Sequence, residues 1–253
     1  MHEEVYFFSS MSYTVENKIT LVTGANRGIG KAIVDSFIQH GAAKVYAGVR
    51  ILDKADALLA EYGDKIIPVK IDYNDPKSFV SAANEASDVD IVVSNAGILK
   101  QARVLDDNVI ENFEKELEVN VYGLLRMARA FAPILKANGG GVFVQLNSVA
   151  SLKSFPDFAT YCASKAAAYS FTQALRNDLA DQNTHVLSVH PGPIETDMAH
   201  QAGMGNMGDS VSVVSEGIIK ALKDGSFHLF PDTMAKQFEE AYKSFAQGIV
   251  EAT

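Results

Sequence analysis

The sequence predicts an α/β chain whose parallel strands, about seven of them, form a doubly wound sheet covered by helices on both faces. Two observations carry that prediction. Short β-branched apolar runs alternate with longer segments of helical periodicity, and the first run breaks into a glycine-rich turn that leads straight into a helix. Length and composition agree: 253 residues, 47% hydrophobic and 21% charged, suit one sizeable globular domain.

Residues 18–22 are the first predicted strand, and Ala32, Ile33, Phe37 and Ile38 mark the helix that follows, closed by Gly41. A second strand spans 44–49 and a helix 52–62. A third strand covers 66–71, and Asp75-Pro76 opens the next helix, because proline fits the first helical turn. Strand 90–94, a long helix over about 106–136, strand 141–146, a helix over about 158–182 and strand 185–190 continue the alternation. The segment 193–210, rich in glycine and methionine, is expected to be an adaptable lid beside the ligand-binding edge. A helix at 211–222, a strand at 227–230 and a helix at about 233–249 end the chain. Residues 1–15 are expected to form an N-terminal arm on a single domain of 16–253, with Met11 an alternative start and Val5, Tyr6, Phe7 and Phe8 available to pack on a neighbouring subunit.

A net charge of -9 argues against non-specific nucleic-acid binding, which needs a basic face. Cys162 is the only cysteine, so no internal disulfide can form, and the expected location is the cytoplasm. No apolar run approaches the roughly 20 residues that span a bilayer, and the acidic N-terminus is unlike a signal peptide. His185 and His190, five apart on a strand, point to opposite faces, so no metal site is expected.

Gly24, Gly28 and Gly30 stand at the first strand-to-helix turn. Missing side chains there permit a tight turn and let N–H groups approach a pyrophosphate at the helix start. In NAD-binding units an acidic residue about 20 positions further on holds the ribose hydroxyl. Here that count reaches Val49-Arg50, and Arg27 lies within the turn itself. Two guanidinium groups suit a 2'-phosphate, so the cofactor is expected to be NADP(H) rather than NAD(H); Asp53 is the rival that would reverse this. Asp72, just past the third strand, is placed to meet an adenine amino group. Ser94-Asn95-Ala96-Gly97 follows the fourth strand, where small residues let the chain pass close to the cofactor.

Tyr161 and Lys165 are four apart, hence neighbours on one helix face. A cation beside a phenol favours the phenolate and is expected to lower its pKa from about 10 towards the range useful for proton transfer. Ser148 follows the fifth strand, where its hydroxyl can bond a substrate carbonyl oxygen.

Thr23-Gly24-x-x-x-Gly28-Ile29-Gly30, Ser94-Asn95-Ala96-Gly97, Asn120, Ser148, Tyr161-x-x-x-Lys165 and Pro191-Gly192-x-x-x-Thr196 occur in this order on one α/β pattern. From about Lys18 to Thr196 the chain closely resembles the short-chain dehydrogenase/reductase (SDR) family, with Ser94 where asparagine is usual. The resemblance implies a Rossmann fold and a catalytic tetrad of Asn120, Ser148, Tyr161 and Lys165. In it Tyr161 exchanges the proton, Lys165 also binds the nicotinamide ribose, and Asn120 holds a water that links Lys165 to solvent. It also implies cofactor contacts from Gly24, Asn26, Arg27, Gly28, Ile29, Gly30, Arg50, Asp72, Asn95, Ala96, Gly97, Tyr161, Lys165, Pro191, Gly192, Ile194 and Thr196.

The expected substrate pocket consists of Leu99, Val149, Ala150, Leu152, Phe155, Phe158, Met198, Met204 and Met207. It is apolar and offers no handle for a carboxylate or phosphate, which points to an uncharged, fairly hydrophobic aldehyde, ketone or secondary alcohol. The alternatives are an NADP-binding sensor or scaffold without chemistry, and epimerisation or dehydration on the same fold. Resemblance further implies a homodimer or homotetramer built through the two long helices, whose second faces carry Phe113, Leu117, Phe131, Phe171 and Leu175.

Overall fold

The structure, a computed structural model, describes residues 12–205 and 208–252. Val5, Tyr6, Phe7, Phe8 and Met207 lie outside the described residues. Strands β1 (Ile19–Thr23), β2 (Lys44–Val49), β3 (Ile66–Lys70), β4 (Ile91–Ser94), β5 (Gly141–Leu146), β6 (Thr184–Val189) and β7 (His228–Leu229) form one parallel sheet in the order 3-2-1-4-5-6-7. The order runs outward from β1 to β3 and then jumps to the other side of β1 with β4. That reversal is the switch point at which such sheets open a crevice for ligands.

Side chains alternate across each strand, and the two faces feed two cores. Val22, Ile91, Val93, Val142 and Val144 pack with Ile33, Val34 and Phe37 of α1 (Gly28–Gln39) and with Val214 and Ile218 of α8 (Val211–Asp224). Leu21, Val92 and Phe143 face the other way, onto Phe79 of α3 (Pro76–Glu85), Met127 and Phe131 of α5 (Gly123–Ala137) and Leu179 of α6 (Ala159–Ala180). Strands buried on both faces read as continuous apolar runs, which is why 91–93 and 142–144 show so little alternation. Tyr13 donates its N–H to the Leu222 carbonyl and Val15 is buried, so the chain is docked on α8 from Tyr13 onward.

Several elements differ from expectation, each for a local reason. The segment 52–62 begins as a 3-10 turn, Leu52–Ala55, and becomes helix α2 only over Asp56–Tyr62. The long helix is broken into α4 (Val109–Glu116), a π turn (Leu117–Tyr122) and α5, and the widened turn is where Asn120 bonds both the N–H and the carbonyl of Ile98. The segment 193–210, expected to be an adaptable lid, contains α7 (Asp197–Gln201), started by the Thr196 hydroxyl accepting from the Ala199 N–H. Only two residues of 227–230 pair in the sheet, because Phe227 and Phe230 turn into separate apolar clusters. Phe131, expected on an intersubunit face, is fully buried beneath the sheet, whereas Phe171 is exposed. The chain ends in α9 (Thr233–Phe245) and a π turn, Ala246–Val250. Among the described residues, no helix is long and apolar enough to cross a membrane.

Candidate active site

The strands' carboxyl ends open on one cavity of about 820 Å³, and every residue expected to touch cofactor lines it. Its floor is the first turn. Gly24 and Gly28 adopt φ of 64° and 53°, the left-handed region that favours glycine. Gly30 is kept bare by space instead: a Cβ there would fall 2.1 Å from the Gly24 carbonyl oxygen and 2.7 Å from Asn95 Nδ2. Thr23 latches the two sides of the switch point together, its Oγ1 accepting from the N–H groups of Asn95 (2.9 Å) and Ala96 (3.0 Å) while Asn95 Nδ2 donates to its carbonyl (2.8 Å). No side chain caps the start of α1, and Arg27 to Gly30 line the cavity. The uncapped helix start and the glycine cradle fit a dinucleotide pyrophosphate.

At the outer end, Arg27, Arg50 and Lys54 line the cavity together, and Asp53 is not among the lining residues. Arg27 Nη1 pairs with Asp197 Oδ2 of α7 at 3.1 Å, with both side chains about two-thirds exposed, which makes the pair weak. The Asp72 carboxylate also reaches the cavity wall and accepts from the Asn74 N–H at 3.0 Å.

At the inner end, Ser148, Tyr161 and Lys165 line the cavity and Asn120 is buried behind them. Ser148 follows β5; its Oγ accepts from the Ala150 N–H (3.1 Å) and donates to the Pro191 carbonyl (3.2 Å). Lys165 Nζ donates to the Leu146 carbonyl at 2.8 Å and lies 5.8 Å from the Tyr161 ring centre. Burial lowers Lys165 to about 8. The expectation that Lys165 brings the Tyr161 phenol down is not met in the protein's own electrostatics. Burial dominates and pushes the phenol well above its ordinary value, against the opposing Ser148 hydroxyl. The Asn120 amide is engaged by protein partners: Oδ1 accepts from Ile98 N, and Nδ2 donates to the Ile98 carbonyl and to Ser164 Oγ, each at 2.9 Å.

Leu99, Val149, Ala150, Phe155, Phe158, Met198 and Met204 form the apolar wall as expected. Leu152 does not. The 3-10 turn Val149–Ser151 carries it away from the cavity, into a cluster with Phe230 and Ala235. Sequence reasoning missed Lys54, Val119, Met234 and His190. Lys54 lies four residues beyond Arg50 and reaches the same end of the cavity, and His190 immediately precedes Pro191-Gly192; both positions were readable signals. His190 is fully buried, with Nδ1 against Ser151 Oγ (3.0 Å) and the Ser148 carbonyl (3.2 Å) and Nε2 against Ser188 Oγ (2.8 Å). Burial, with His228 second, drives its pKa down to about 3, so a neutral imidazole supports the Ser148 backbone.

Comparison with known proteins agrees with this arrangement. The family model for short chain dehydrogenases matches residues 18–206. The chain belongs to the short-chain dehydrogenase family. This short-chain dehydrogenase is therefore an oxidoreductase of an NAD(P)-dependent family. It is 34% identical over 220 residues to a 3alpha-hydroxysteroid dehydrogenase of Mediterraneibacter gnavus, covering 84% of this chain and 83% of that one. It is 30% identical over 194 residues to an NADP-dependent 3-hydroxy acid dehydrogenase of Schizosaccharomyces pombe, covering 73% and 74%. A short chain dehydrogenase of Burkholderia cenocepacia, solved in complex with NADP, superimposes with a TM-score of 0.84 at 33% identity, over 94% of this chain and 97% of that one.

Proposed function

We propose that this short-chain dehydrogenase transfers hydride between NADP(H) and an uncharged, hydrophobic aldehyde or ketone, or the matching secondary alcohol. The observation that carries the reading is the polarity of the cavity. Ser148 and Tyr161 meet a wall of Leu99, Val149, Phe155, Phe158, Met198, Met204 and Met234, while Arg27, Arg50 and Lys54 gather at the far end. Among the described residues, the only other cation lining the cavity is Lys165, and Asp197 adds a negative charge on the lid.

The nicotinamide, when bound, supplies or receives the hydride. In reduction, the Ser148 hydroxyl donates a hydrogen bond to the carbonyl oxygen and Tyr161 gives that oxygen its proton. A phenol held high by burial keeps its proton through the neutral range, so Tyr161 enters reduction in its protonated form. Lys165, fixed by the Leu146 carbonyl, replenishes the proton, and Asn120 secures the Ile98 backbone and α6 on either side of it. At the outer end Arg27, now paired with Asp197, would hold the 2'-phosphate beside Arg50 and Lys54. The name of the NADP-dependent S. pombe relative and the NADP complex of the B. cenocepacia structure support that preference.

The relatives' names point to different substrate classes, a hydroxysteroid and a hydroxy acid. The apolar wall favours the former kind. The test is kcat/KM on a hydrophobic ring ketone and on a 3-oxo acid, each with NADPH and with NADH. The ring ketone with NADPH is expected to lead, and Arg50→Ala to raise KM for NADPH about tenfold or more with little effect on NADH. A 3-oxo acid turned over as well as the ketone refutes the substrate reading, and equal use of NADH refutes the cofactor preference.

A further inference from the structure

Glu116, the last residue of α4, is fully buried although it sits in a run, Glu114-Lys115-Glu116-Leu117-Glu118, that reads as a solvated surface. Its Oε1 accepts from the Lys100 N–H at 2.7 Å, on the segment that carries the pocket residue Leu99. Its Oε2 is buried without a hydrogen-bond partner among the described residues, and so is the hydroxyl of Thr160, in the first turn of α6 beside Tyr161. The Thr160 hydroxyl nevertheless lies close enough to act on the carboxyl. Among the described residues Glu116 makes no ion pair: the cation that acts on it is the exposed Lys100, and the other groups that interact with it are Thr160, Tyr161 and Cys162.

We propose that Glu116 is a positioning residue for Tyr161: a neutral carboxylic acid whose hydroxyl bonds Thr160 Oγ1 while its carbonyl oxygen holds the Lys100 N–H. One proton then satisfies two stranded polar atoms and ties the pocket wall to the turn that bears Tyr161. Neutrality also matters to the chemistry, because a carboxylate here opposes formation of the Tyr161 phenolate. Burial is the largest effect and raises the Glu116 pKa against the opposing Thr160 hydroxyl, Lys100 N–H and Lys100 charge, in the direction this arrangement needs. The inference rests on the oxidoreductase reading of Tyr161 but is tested in part without turnover.

The infrared spectrum of the full-length protein at neutral pH should contain a carboxylic-acid carbonyl band that Glu116→Gln removes. That difference reads the protonation state even if no carbonyl substrate is found. In steady-state assays, Glu116→Leu and Thr160→Val should each lower kcat about tenfold with the Kd for NADPH unchanged. Glu116→Gln, whose amide reproduces both hydrogen bonds, should restore kcat, with a pH profile that superimposes on the parent's. If Glu116→Leu fails to fold, Thr160→Val carries the kinetic arm. Absence of the band difference, or an alkaline limb moved down by about one unit in Glu116→Gln, shows a charged carboxylate and overturns the proposal. So does wild-type kcat in Thr160→Val.

Discussion

Gly30→Ala isolates the physical basis of the cofactor cradle, because at this position space rather than backbone conformation excludes a side chain. The added methyl would stand 2.1 Å from the Gly24 oxygen, 2.8 Å from the Gly24 carbonyl carbon and 2.7 Å from Asn95 Nδ2. To reach ordinary contact the start of α1 and the end of β1 must part by about 1 Å. Overpacking of this kind costs about 1–3 kcal/mol, and the shift strains the Asn95 Nδ2 to Thr23 carbonyl bond, adding about 1 kcal/mol. At roughly 2–4 °C per kcal/mol for a chain of this size, Tm should fall by about 4–16 °C. NADPH affinity should fall at least about tenfold, since the moved backbone is what the pyrophosphate approaches. Gly63→Ala is the matched control. Gly63 has φ +56° with no described atom within 4 Å of the added Cβ, so it bears only conformational strain of about 1–3 kcal/mol and lies off the cavity. Thermal melts and fluorescence titration with NADPH measure both quantities. A Gly30→Ala protein that melts and binds like the parent, or that loses only as much as the Gly63→Ala protein does, refutes the steric argument.

Tyr161→Phe should lower kcat about a thousandfold while leaving the Kd for NADPH within about twofold. Substantial residual turnover removes Tyr161 from the proton-donor role. Because its phenol is held high, alcohol oxidation by the parent should climb with pH through the alkaline range, and a flat profile contradicts the burial argument. His190 makes stability acid-sensitive. Its value falls from 6.5 to about 3 on folding, so below 6.5 the unfolded chain takes up a proton that the native state refuses. Stability from this group is thus complete above pH 6.5 and declines as pH falls towards 3. Between pH 7 and 5 the loss is about 2 kcal/mol. Urea melts should show a smaller loss over this interval in His190→Asn than in the parent, and equal losses refute the assignment.

The sheet and the glycine turn were legible because both are local: β-branched runs end at Thr23, Val49 and Ser94, and the ligand-facing residues follow each. Helix α7 was legible in principle, since Thr196 followed by Asp197 is a helix start, but the glycines and methionines around it suggested a loop. The π turn was not, because apolar spacing continues through 117–122 without a break. What escaped altogether are contacts made at a distance in sequence. Leu152 has the composition and position of a pocket residue, but the turn before it rotates it away from the cavity. Glu116 lies in a charged run that gives no sign of its burial, and Arg27 gives none of its partner 170 residues on. The Tyr161 pKa differs from expectation for a related reason: sequence reveals a neighbouring lysine but not the burial that raises the phenol.

A π turn holds one residue more than the same length of α-helix needs, which offsets the helix after it by about 100°. Across 117–122 that surplus lets a single rod address two partners. Glu116, ahead of it, points to α6 and the Lys100 backbone, while Met127 and Phe131, behind it, point to the sheet. Deleting one residue here would give a straighter, more regular helix in which these two faces no longer match their partners. Irregularity at this point is what allows one helix to serve the core and the reaction centre at once.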